Sequence, residues 1–313
     1  MGAGTLSSRA IIGEFYRSLE QNAGTEWIDP LSMKFTSDQG SEDYKWLGQS
    51  PAMREWVGGR NAKGFRENGL TIVNKHYEGT IEVLLHELRR DKTGQIMLRI
   101  RELAERANSH WASLLSTLII NGPSTVCYDG QYFFDTDHSE GSSGTQDNDI
   151  TVDISALPAA VHGVVTAPSP EEIQQSIVKG IAQILSFKDD QCEPMNENAK
   201  SFLAMVPISL WIAAQKAVSM PTGTGVSEQQ LPPGLSISVV PNVRLTWTDS
   251  FGVFRTDGNV KPFIRQEETA VELAAIAEGS EMEFREKKHQ YGVDTWRNVG
   301  YGYWQHACYV TML

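Results

Sequence analysis

The stretch DKTGQIMLRIRELAERANSHWASLLSTLIINGP, residues 91–123, decides how the rest of the chain is arranged. Its apolar residues recur at the three- and four-residue spacing of one helix face, at Ile96, Ile100, Leu103, Ala104, Ala107, Trp111, Leu114, Leu115, Leu118 and Ile119. Asp91 or Thr93 can cap the start, and Asn121-Gly122-Pro123 is a strong stop signal. The pattern predicts a single helix of roughly 40 Å.

A helix of this kind needs a partner surface along its whole length. Each large apolar side chain contributes roughly 1.5–3 kcal/mol when it is fully buried. The pair Glu102 and Arg106 on the polar side adds only about 0.3 kcal/mol when exposed. The apolar positions do not keep a strict heptad, which disfavours an exposed coiled coil. We therefore predict a structural spine, and we expect polar substitutions at Trp111 or Leu115 to prevent folding.

Length, composition and charge exclude several classes of protein. The 313 residues, with 40% apolar and 21% charged, suit a folded chain of one large or two ordinary domains. The sequence shows neither a signal peptide nor an apolar run of membrane-spanning length. Cys127, Cys192 and Cys308 lie far apart, which predicts free thiols in a reducing compartment. A net charge of −12 disfavours a broad nucleic-acid-binding face but suits a container wall that does not adhere to packed DNA.

The first 43 residues lack a core pattern. Residues 8–19 predict a short amphipathic helix, and Trp27, Ile28, Leu31 and Phe35 follow as isolated apolar anchors in a polar segment. Such anchors suit an arm that lies across another surface. Composition alone slightly favours the other interpretation, a poorly ordered terminus.

Residues 44–87 predict an exposed ribbon. Two extended segments, 70–73 and 76–83, follow a glycine-rich part that contains several aromatic side chains. A ribbon of this composition cannot form its own core, so we expect it to lie on a domain surface or on a neighbouring subunit. The ribbon is the most basic part of an acidic chain, through Arg54, Arg60, Lys63, Arg66 and Lys75. These charges either complement an acidic neighbour or form a solvated face.

The segment after the spine contains the residues that most resemble a metal site. A tight turn at 128–131 predicts a hairpin over 125–134, and Asp135, Asp137 and His138 follow it. These side chains could ligate a cation, but the spacing of an EF-hand is absent and no HExxH motif accompanies them. The pattern therefore favours ordinary loop chemistry, with no metal or cofactor. Residues 140–149 predict a flexible connector and a domain boundary.

Residues 150–262 predict a compact α/β unit. Ser169-Pro170-Glu171-Glu172 marks a helix start, and a strand at 202–206 precedes a helix at 209–218. Further strands are predicted at 235–240 and 243–248, while the glycines of 221–226 form a loop that lacks the P-loop ending. The remaining chain predicts long strands at 261–268, 271–276, 282–293 and 295–304. A narrow sheet of this kind packs against a long helix or a neighbouring chain.

Seven pieces of the sequence, in the same order, resemble the major head subunit of Mu-like bacteriophages. They lie at 46–48, 55–58, 74–80, 128–135, 261–264, 291–294 and 300–305. The resemblance runs from about residue 44 to residue 306 and is least distinctive between about 150 and 260.

The resemblance implies an α+β chain with the HK97-type capsid fold. Residues 1–43 would be the N-terminal arm, 44–87 the extended loop, 88–149 with 263–313 the peripheral domain with its spine helix, and 150–262 the axial α/β domain. Contacts between subunits would come from the extended loop, through Trp46, Arg54, Trp56, Arg60, Lys63, Arg66 and Lys75. Some relatives of this fold crosslink a loop lysine to a distant asparagine, but we expect no crosslinks here.

The function that the resemblance implies is that of a major capsid protein without catalytic activity. It would self-assemble as hexamers and pentamers into the icosahedral head of a tailed bacteriophage, in the cytoplasm of the bacterial host, and end in the virion. Double-stranded DNA would be enclosed without sequence-specific binding, the partners would be scaffold, portal and decoration proteins, and no membrane would be involved. The alternatives are the shell of a non-viral nanocompartment and a metal-dependent hydrolase that uses Asp135, Asp137 and His138.

Overall fold

The computed structural model describes residues 7–21, 25–45, 69–91, 93–219 and 234–313. The helices are α1 (Ser8–Gln21), α2 (Ile28–Leu31), α3 (Leu85–Arg90), α4 (Gln95–Ile120), α5 (Pro170–Ser186), α6 (Ile208–Ser219) and α7 (Glu281–Glu286). The strands are β1 (Ser32–Thr36), β2 (Ser41–Tyr44), β3 (Leu70–Val73), β4 (Lys75–Leu84), β5 (Asp149–Val152), β6 (Ser201–Val206), β7 (Ser236–Pro241), β8 (Ser250–Arg255), β9 (Phe263–Ile276), β10 (Lys288–Tyr301) and β11 (Ala307–Met312). Within these ranges, none of the helices combines the length and the hydropathy that a bilayer crossing requires.

The predicted spine helix is present as α4, which has 26 residues. The Asp91 carboxylate accepts hydrogen bonds from the backbone N–H groups of Thr93, Gly94, Gln95 and Ile96, at 2.8–3.2 Å. Of the two predicted candidates, Asp91 therefore satisfies N–H groups at the helix start, while the N-cap position itself is Gly94. The helix ends before Gly122-Pro123, and Glu102 and Arg106 form an exposed pair at 2.7 Å. The predicted apolar face is buried most completely at Ile100, Ala104, Leu115 and Ile119.

Two main sheets pack around this helix. The first, called here the long sheet, has the strand order β1-β9-β10-β4, and the second, the five-stranded sheet, has the order β5-β11-β8-β6-β7. A separate two-stranded ladder pairs β2 with β3. Neighbouring strands come from distant parts of the sequence, since β4 pairs with β10 and β1 lies parallel to β9.

The long sheet faces α4 with one side of β10. Every second residue of the strand is buried, from His289 through Tyr291, Val293 and Thr295 to Arg297, which is the two-residue period of a half-exposed strand. The strand pairs with β9 on one side and with β4 on the other. The prediction of a long sheet that packs against the spine is therefore confirmed.

The five-stranded sheet carries α5 on one face. At the predicted helix start, Ser169 and Glu172 form a capping box, in which each residue's side chain accepts a hydrogen bond from the other's backbone N–H. The helix comes close to the sheet at Gly180, where a Cβ atom would lie 3.0 Å from methyl groups of Val253 and Val310. A larger residue at this contact would require both methyl groups to move by a few tenths of an ångström.

The last strand corrects the predicted grouping of residues 263–313. β11 pairs with β8 and β5, so it belongs to the five-stranded sheet, whereas β9 and β10 lie in the long sheet. The reason is burial, since Ala307, Cys308, Val310 and Met312 are all buried in the large core. The chain therefore crosses from one sheet to the other after Tyr301.

Three local predictions were wrong. Residues 140–149 pack rather than connect flexibly, because Asn148 is fully buried and donates a hydrogen bond to the Phe133 carbonyl at 2.9 Å. Residues 243–248 contain no strand: a turn lies at 243–244, where the Asn242 side chain accepts from the Arg244 N–H at 3.0 Å, and the next strand is β8. Residues 282–286 are helical within α7, because Ser280 caps this short helix.

Candidate assembly surfaces and a buried polar cluster

The ladder of β2 and β3 joins the two chain segments that flank residues 46–68 of the predicted extended loop. Tyr44 pairs with Leu70 at the end of this ladder, and residues 46–68 between them lie outside the described residues. The ladder sits directly on β10 at Gly300, where a Cβ atom would lie 2.3 Å from the Ile72 side chain. Only glycine allows this close approach.

A buried glutamine fixes the base of the loop to the long sheet. Gln266 of β9 accepts a hydrogen bond from the Tyr44 hydroxyl at 2.8 Å and donates to the Ile72 carbonyl at 3.1 Å and to the Asn74 side chain at 2.8 Å. Burial raises the pKa of Tyr44 to about 12, so its hydroxyl remains a donor at neutral pH. The ladder of β2 and β3 is therefore hydrogen-bonded to the long sheet through Gln266.

One of the seven predicted contact residues lies within the described part of the chain. Lys75 is exposed at the start of β4, opposite Arg297 of β10. The other six lie outside the described residues: Trp46, Arg54, Trp56, Arg60, Lys63 and Arg66. Their role in contacts between subunits therefore stays a prediction.

The predicted N-terminal helix lies on its own subunit. Ile11 and Phe15 of α1 are fully buried against the first half of α4 and the end of the long sheet. The Arg101 side chain hydrogen-bonds the Glu14 carboxylate, and this contact, helped by Arg17, lowers the pKa of Glu14. The Ser8 N–H donates to Glu278 at 2.9 Å. The slightly favoured prediction of a poorly ordered terminus is wrong for this helix.

Two arginines flank Trp111 where α4 meets the long sheet. The guanidinium carbons of Arg297 and Arg265 lie 4.7 and 5.7 Å from the ring centroid. Arg297 is almost fully buried, donates to the Ala107 carbonyl at 3.1 Å, and has its pKa lowered to about 10 by burial. Trp111 itself is only partly buried, and it covers the two charges.

Helices α6 and α7 carry exposed apolar side chains. Ile208, Trp211 and Ile212 share one face of α6 and are 50%, 40% and 66% exposed. Phe284 on α7, at the turn between β9 and β10, is 79% exposed. Exposed apolar groups gathered on one element are typical of surfaces that another protein covers.

The structure does not unite the residues considered as metal ligands. The Asp135 carboxylate accepts from the backbone N–H groups of Tyr132 and Thr136, at 3.1 and 2.8 Å, and Asp137 is exposed. His138 turns instead toward Asp129, with Nδ1 2.7 Å from its carboxylate. Among the described residues, the three side chains with possible ligand atoms within 4.8 Å of one another are Cys127, Asp129 and His138.

This buried cluster is held together by hydrogen bonds to a single carboxylate. The Cys127 thiol donates to Asp129 at 2.9 Å, and the His138 ring stacks on Trp304 with centroids 4.0 Å apart. Burial raises the pKa of Cys127 far above its usual value, so the thiol stays protonated. Burial alone would raise the pKa of Asp129, but the His138 contact holds it below the usual value. The thiol donates to the carboxylate rather than to the imidazole, which is not the pairing of a thiol nucleophile with its base.

The signal that could have found this cluster is the turn at 128–131. Gly130 has a φ of 93°. The Cys127 N–H donates to the Gln131 carbonyl at 2.8 Å, and a single bridge joins Val126 and Tyr132. The predicted hairpin is thus a tight turn without strands. The turn brings Cys127 and Asp129 together, whereas His138 was predicted to act with its nearest acidic neighbours, Asp135 and Asp137.

A known protein family matches most of this chain. The model of the family described as Mu-like prophage major head subunit gpT matches residues 8–156 and 228–312, which is most of the chain. The chain belongs to this family. The matched residues include the spine helix, all four strands of the long sheet and the buried cluster.

Two relatives of this chain are head or capsid proteins. It is 37% identical over 107 residues to the Mu-like prophage FluMu major head subunit of Haemophilus influenzae. It is 33% identical over 108 residues to the major capsid protein of Escherichia phage Mu. Each match covers 34% of this chain and spans only 35% of the relative's length.

Solved structures share the fold. The procapsid of bacteriophage JBD30 is similar with a TM-score of 0.56 and 23% identity, over 96% of this chain and 72% of the JBD30 chain. The gpT family chain thus has the HK97-type capsid fold predicted from the sequence.

Proposed function

We propose that this chain is the major capsid protein of a tailed bacteriophage and forms its icosahedral head. Hexamers and pentamers of the chain would build the shell, which encloses double-stranded DNA. The observation that carries the proposal is the gpT family match over residues 8–156 and 228–312 in a chain with a capsid fold. The proposal assigns no catalytic reaction to the chain.

The exposed surfaces support assembly with further copies. The apolar face of α6 and the exposed Phe284 have no cover among the described residues, and burial in a shell removes both from water. We assign α6 and most of the five-stranded sheet to the axial domain, and α4 with the long sheet to the peripheral domain. A non-viral nanocompartment would use the same fold, but the family match favours a phage head.

The extended loop is the second part of the proposal. Trp46, Arg54, Trp56, Arg60, Lys63, Arg66 and Lys75 would contact a neighbouring subunit. The support is the rigid ladder at the base of the loop and the basic charge of a segment within a chain of net charge −12. Opposite charges across such a contact orient two acidic subunits that otherwise repel each other.

The remaining assignments concern partners and location. Scaffold, portal and decoration proteins would assist the chain in the cytoplasm of the bacterial host, and the product would be the virion capsid. The negative net charge would leave packed DNA free of strong contacts with the wall, because phosphate binding requires basic groups. DNA would therefore be enclosed without sequence-specific binding.

Electron microscopy of the expressed chain tests the main proposal. We expect closed, regular shells, either from the chain alone or with the scaffold and portal proteins of its phage. Analytical ultracentrifugation of the same sample gives the assembled fraction in solution. A chain that stays a dispersed monomer with both partners present would contradict the proposed function.

Replacement of residues 46–68 by a four-residue Gly-Ser linker tests the loop. The ladder of β2 and β3 can close with a short turn, so we expect a folded subunit whose thermal midpoint stays within about 3 °C of the wild type and which forms no closed shells. A finer variant changes Arg54, Arg60, Lys63 and Arg66 to Gln. Its matched control exchanges Arg and Lys at these four positions and keeps the charge. Normal shells from the linker variant would show that the loop is dispensable.

A further inference from the structure

A basic pocket lies at the far end of the long sheet. Leu85 forms its apolar lining, and its polar lining consists of His86, Arg89 and Arg90 of α3 together with Lys287, around a volume of about 360 Å³. His86, Arg89 and Arg90 lie on one face of α3, because positions three and four apart share a helix face. Among the described residues, Arg89, Arg90 and Lys287 form no ion pair. These exposed side chains form a local basic patch in a chain of net charge −12.

Helix α7 lies beside this pocket and carries an exposed phenylalanine between glutamates. Phe284 is 79% exposed on α7, the short helix at the turn between β9 and β10. Glu281 and Glu286 flank it with side chains that are 74% and 55% exposed. Their pairs with Arg285 at 2.8 Å and Lys288 at 3.6 Å are exposed, and such pairs contribute little to stability. Both carboxylates can therefore change partner without loss of the fold.

We propose that α7 of one subunit docks in the basic pocket of a second copy of this chain. Phe284 enters the pocket over Leu85, with its ring against the arginine guanidinium groups. Glu281 and Glu286 pair with Arg89 and Arg90 of the other copy. The inference deepens the proposed function and rests on it, because it names the partner that covers this end of the long sheet.

The chemistry of the two surfaces selects this occupant. An aromatic ring attracts guanidinium groups through its face, and carboxylates form charge-assisted hydrogen bonds with arginine. Within one subunit the Lys287 Nζ already lies 5.5 Å from the centroid of the Phe284 ring, which shows that the ring accepts a cation at its face. When two complementary surfaces lie on the same subunit, each copy can bind the next one, and the contact then repeats around a symmetry axis. Copies of the chain therefore satisfy both surfaces at once.

Charge reversal with rescue tests the pairing. We expect R89E/R90E and E281R/E286R each to lower the yield of assembled shells at least about tenfold, because the reversed charges repel at every copy of the contact. The quadruple variant, which exchanges the two signs, should restore the yield to within about threefold of the wild type. R89K/R90K and F284L are the matched controls, which keep the charge or the apolar bulk. Loss of assembly in the quadruple variant, although it folds with a normal thermal midpoint, would overturn the proposed pairing.

Crosslinking of mixed subunits separates this inference from the proposed function. A tagged F284C chain and an untagged R89C chain, both with Cys192→Ser to remove the exposed native thiol, are mixed and treated with a short bismaleimide. We expect a crosslinked pair of tagged and untagged chains, and no such pair when K179C on the exposed side of α5 replaces R89C. Shells that assemble without the F284C–R89C product would overturn the inference and leave the proposed function standing. The product without any closed shell would support the contact and contradict the proposed function.

Discussion

The two halves of α4 are buried in different ways. The second half, through Leu115 and Ile119, lies in a large core that contains side chains from both main sheets. The first half, through Ile100 and Ala104, lies in a small cluster that α1 covers with Ile11 and Phe15. Both halves have fully buried positions, so exposure alone does not distinguish them.

The difference lies in what must come apart to expose each half. Exposure of Leu115 requires separation of elements as distant in sequence as Phe133, Phe263 and Tyr301, which all belong to the same cluster. Exposure of Ile100 requires only that the smaller cluster opens, in which α1 packs on α4 and on the end of the long sheet. Regions with fewer buried apolar contacts open at lower free energy than the main core. One helix therefore belongs to a globally stable region at one end and to a locally stable region at the other.

Matched substitutions on the same helix test this comparison with the largest expected effect. Leu115→Asn buries an unpaired amide in the large core, and we expect it to destabilise the subunit by more than about 4 kcal/mol and to prevent folding. Ile100→Asn should detach α1 while the five-stranded sheet stays folded. Hydrogen exchange measured by mass spectrometry locates the loss of protection in each variant.

Conservative changes provide the control for this pair. Leu115→Met and Ile100→Val keep an apolar side chain of similar volume, and each should cost less than about 1.5 kcal/mol. If Ile100→Asn unfolds the whole subunit, the two halves of α4 form one cooperative unit. If Leu115→Asn loses protection only locally, the large core does not control folding.

Acid should destabilise the large core through His306. We expect this loss of stability to be smaller than the loss caused by Leu115→Asn. This side chain is 4% exposed, with Nδ1 2.9 Å from the Val260 carbonyl, and burial, aided by the charge of Arg255, lowers its pKa to about 4. The unfolded chain binds this proton near pH 6.5 and the folded chain does not. Stability is therefore lost as pH falls from about 6.5 to about 4, by at most about 3 kcal/mol, and the loss stops below that range.

A pH series of chemical unfolding curves measures this contribution. His110, between Tyr77 and Arg297, also has a pKa lowered to about 4 by burial, so the wild type alone does not isolate His306. We expect His306→Gln to flatten the dependence between pH 6.5 and 4, and His110→Gln serves as the comparison. An unchanged slope in His306→Gln would mean that the imidazole is not kept neutral by the core.

Local signals in the sequence predicted the helices of this fold. Asp91 and the sequence Asn121-Gly122-Pro123 set the ends of α4, and the capping box of Ser169 and Glu172 started α5. Each signal acts through hydrogen bonds within a few residues, so its outcome does not depend on the rest of the chain. The same kind of signal, Ser280 with Glu283, was overlooked, and α7 was predicted as a strand.

Features that depend on distant partners could not be predicted in this way. The pairing of β11 with β8 and the docking of α1 on α4 are decided by which apolar surfaces meet in the folded subunit. For the same reason His138 was grouped with Asp135 and Asp137, which are near in sequence, whereas a turn brings Asp129 to it in space. The contact residues of the extended loop depend on a second subunit, and no pattern within one chain specifies that partner.

Trp111, between the two halves of α4, should show the smallest effect. The sequence led us to expect that a polar residue here prevents folding, but the ring is partly exposed and covers Arg265 and Arg297. Trp111→Gln removes two cation–π contacts and leaves the folded core in place, so we expect a loss of about 1–2 kcal/mol in the free energy of unfolding. Trp111→Phe keeps an aromatic face and should cost less than half as much. Equal losses in both variants would mean that Trp111 acts through its volume rather than through the arginines, and a failure to fold would place it in the large core with Leu115.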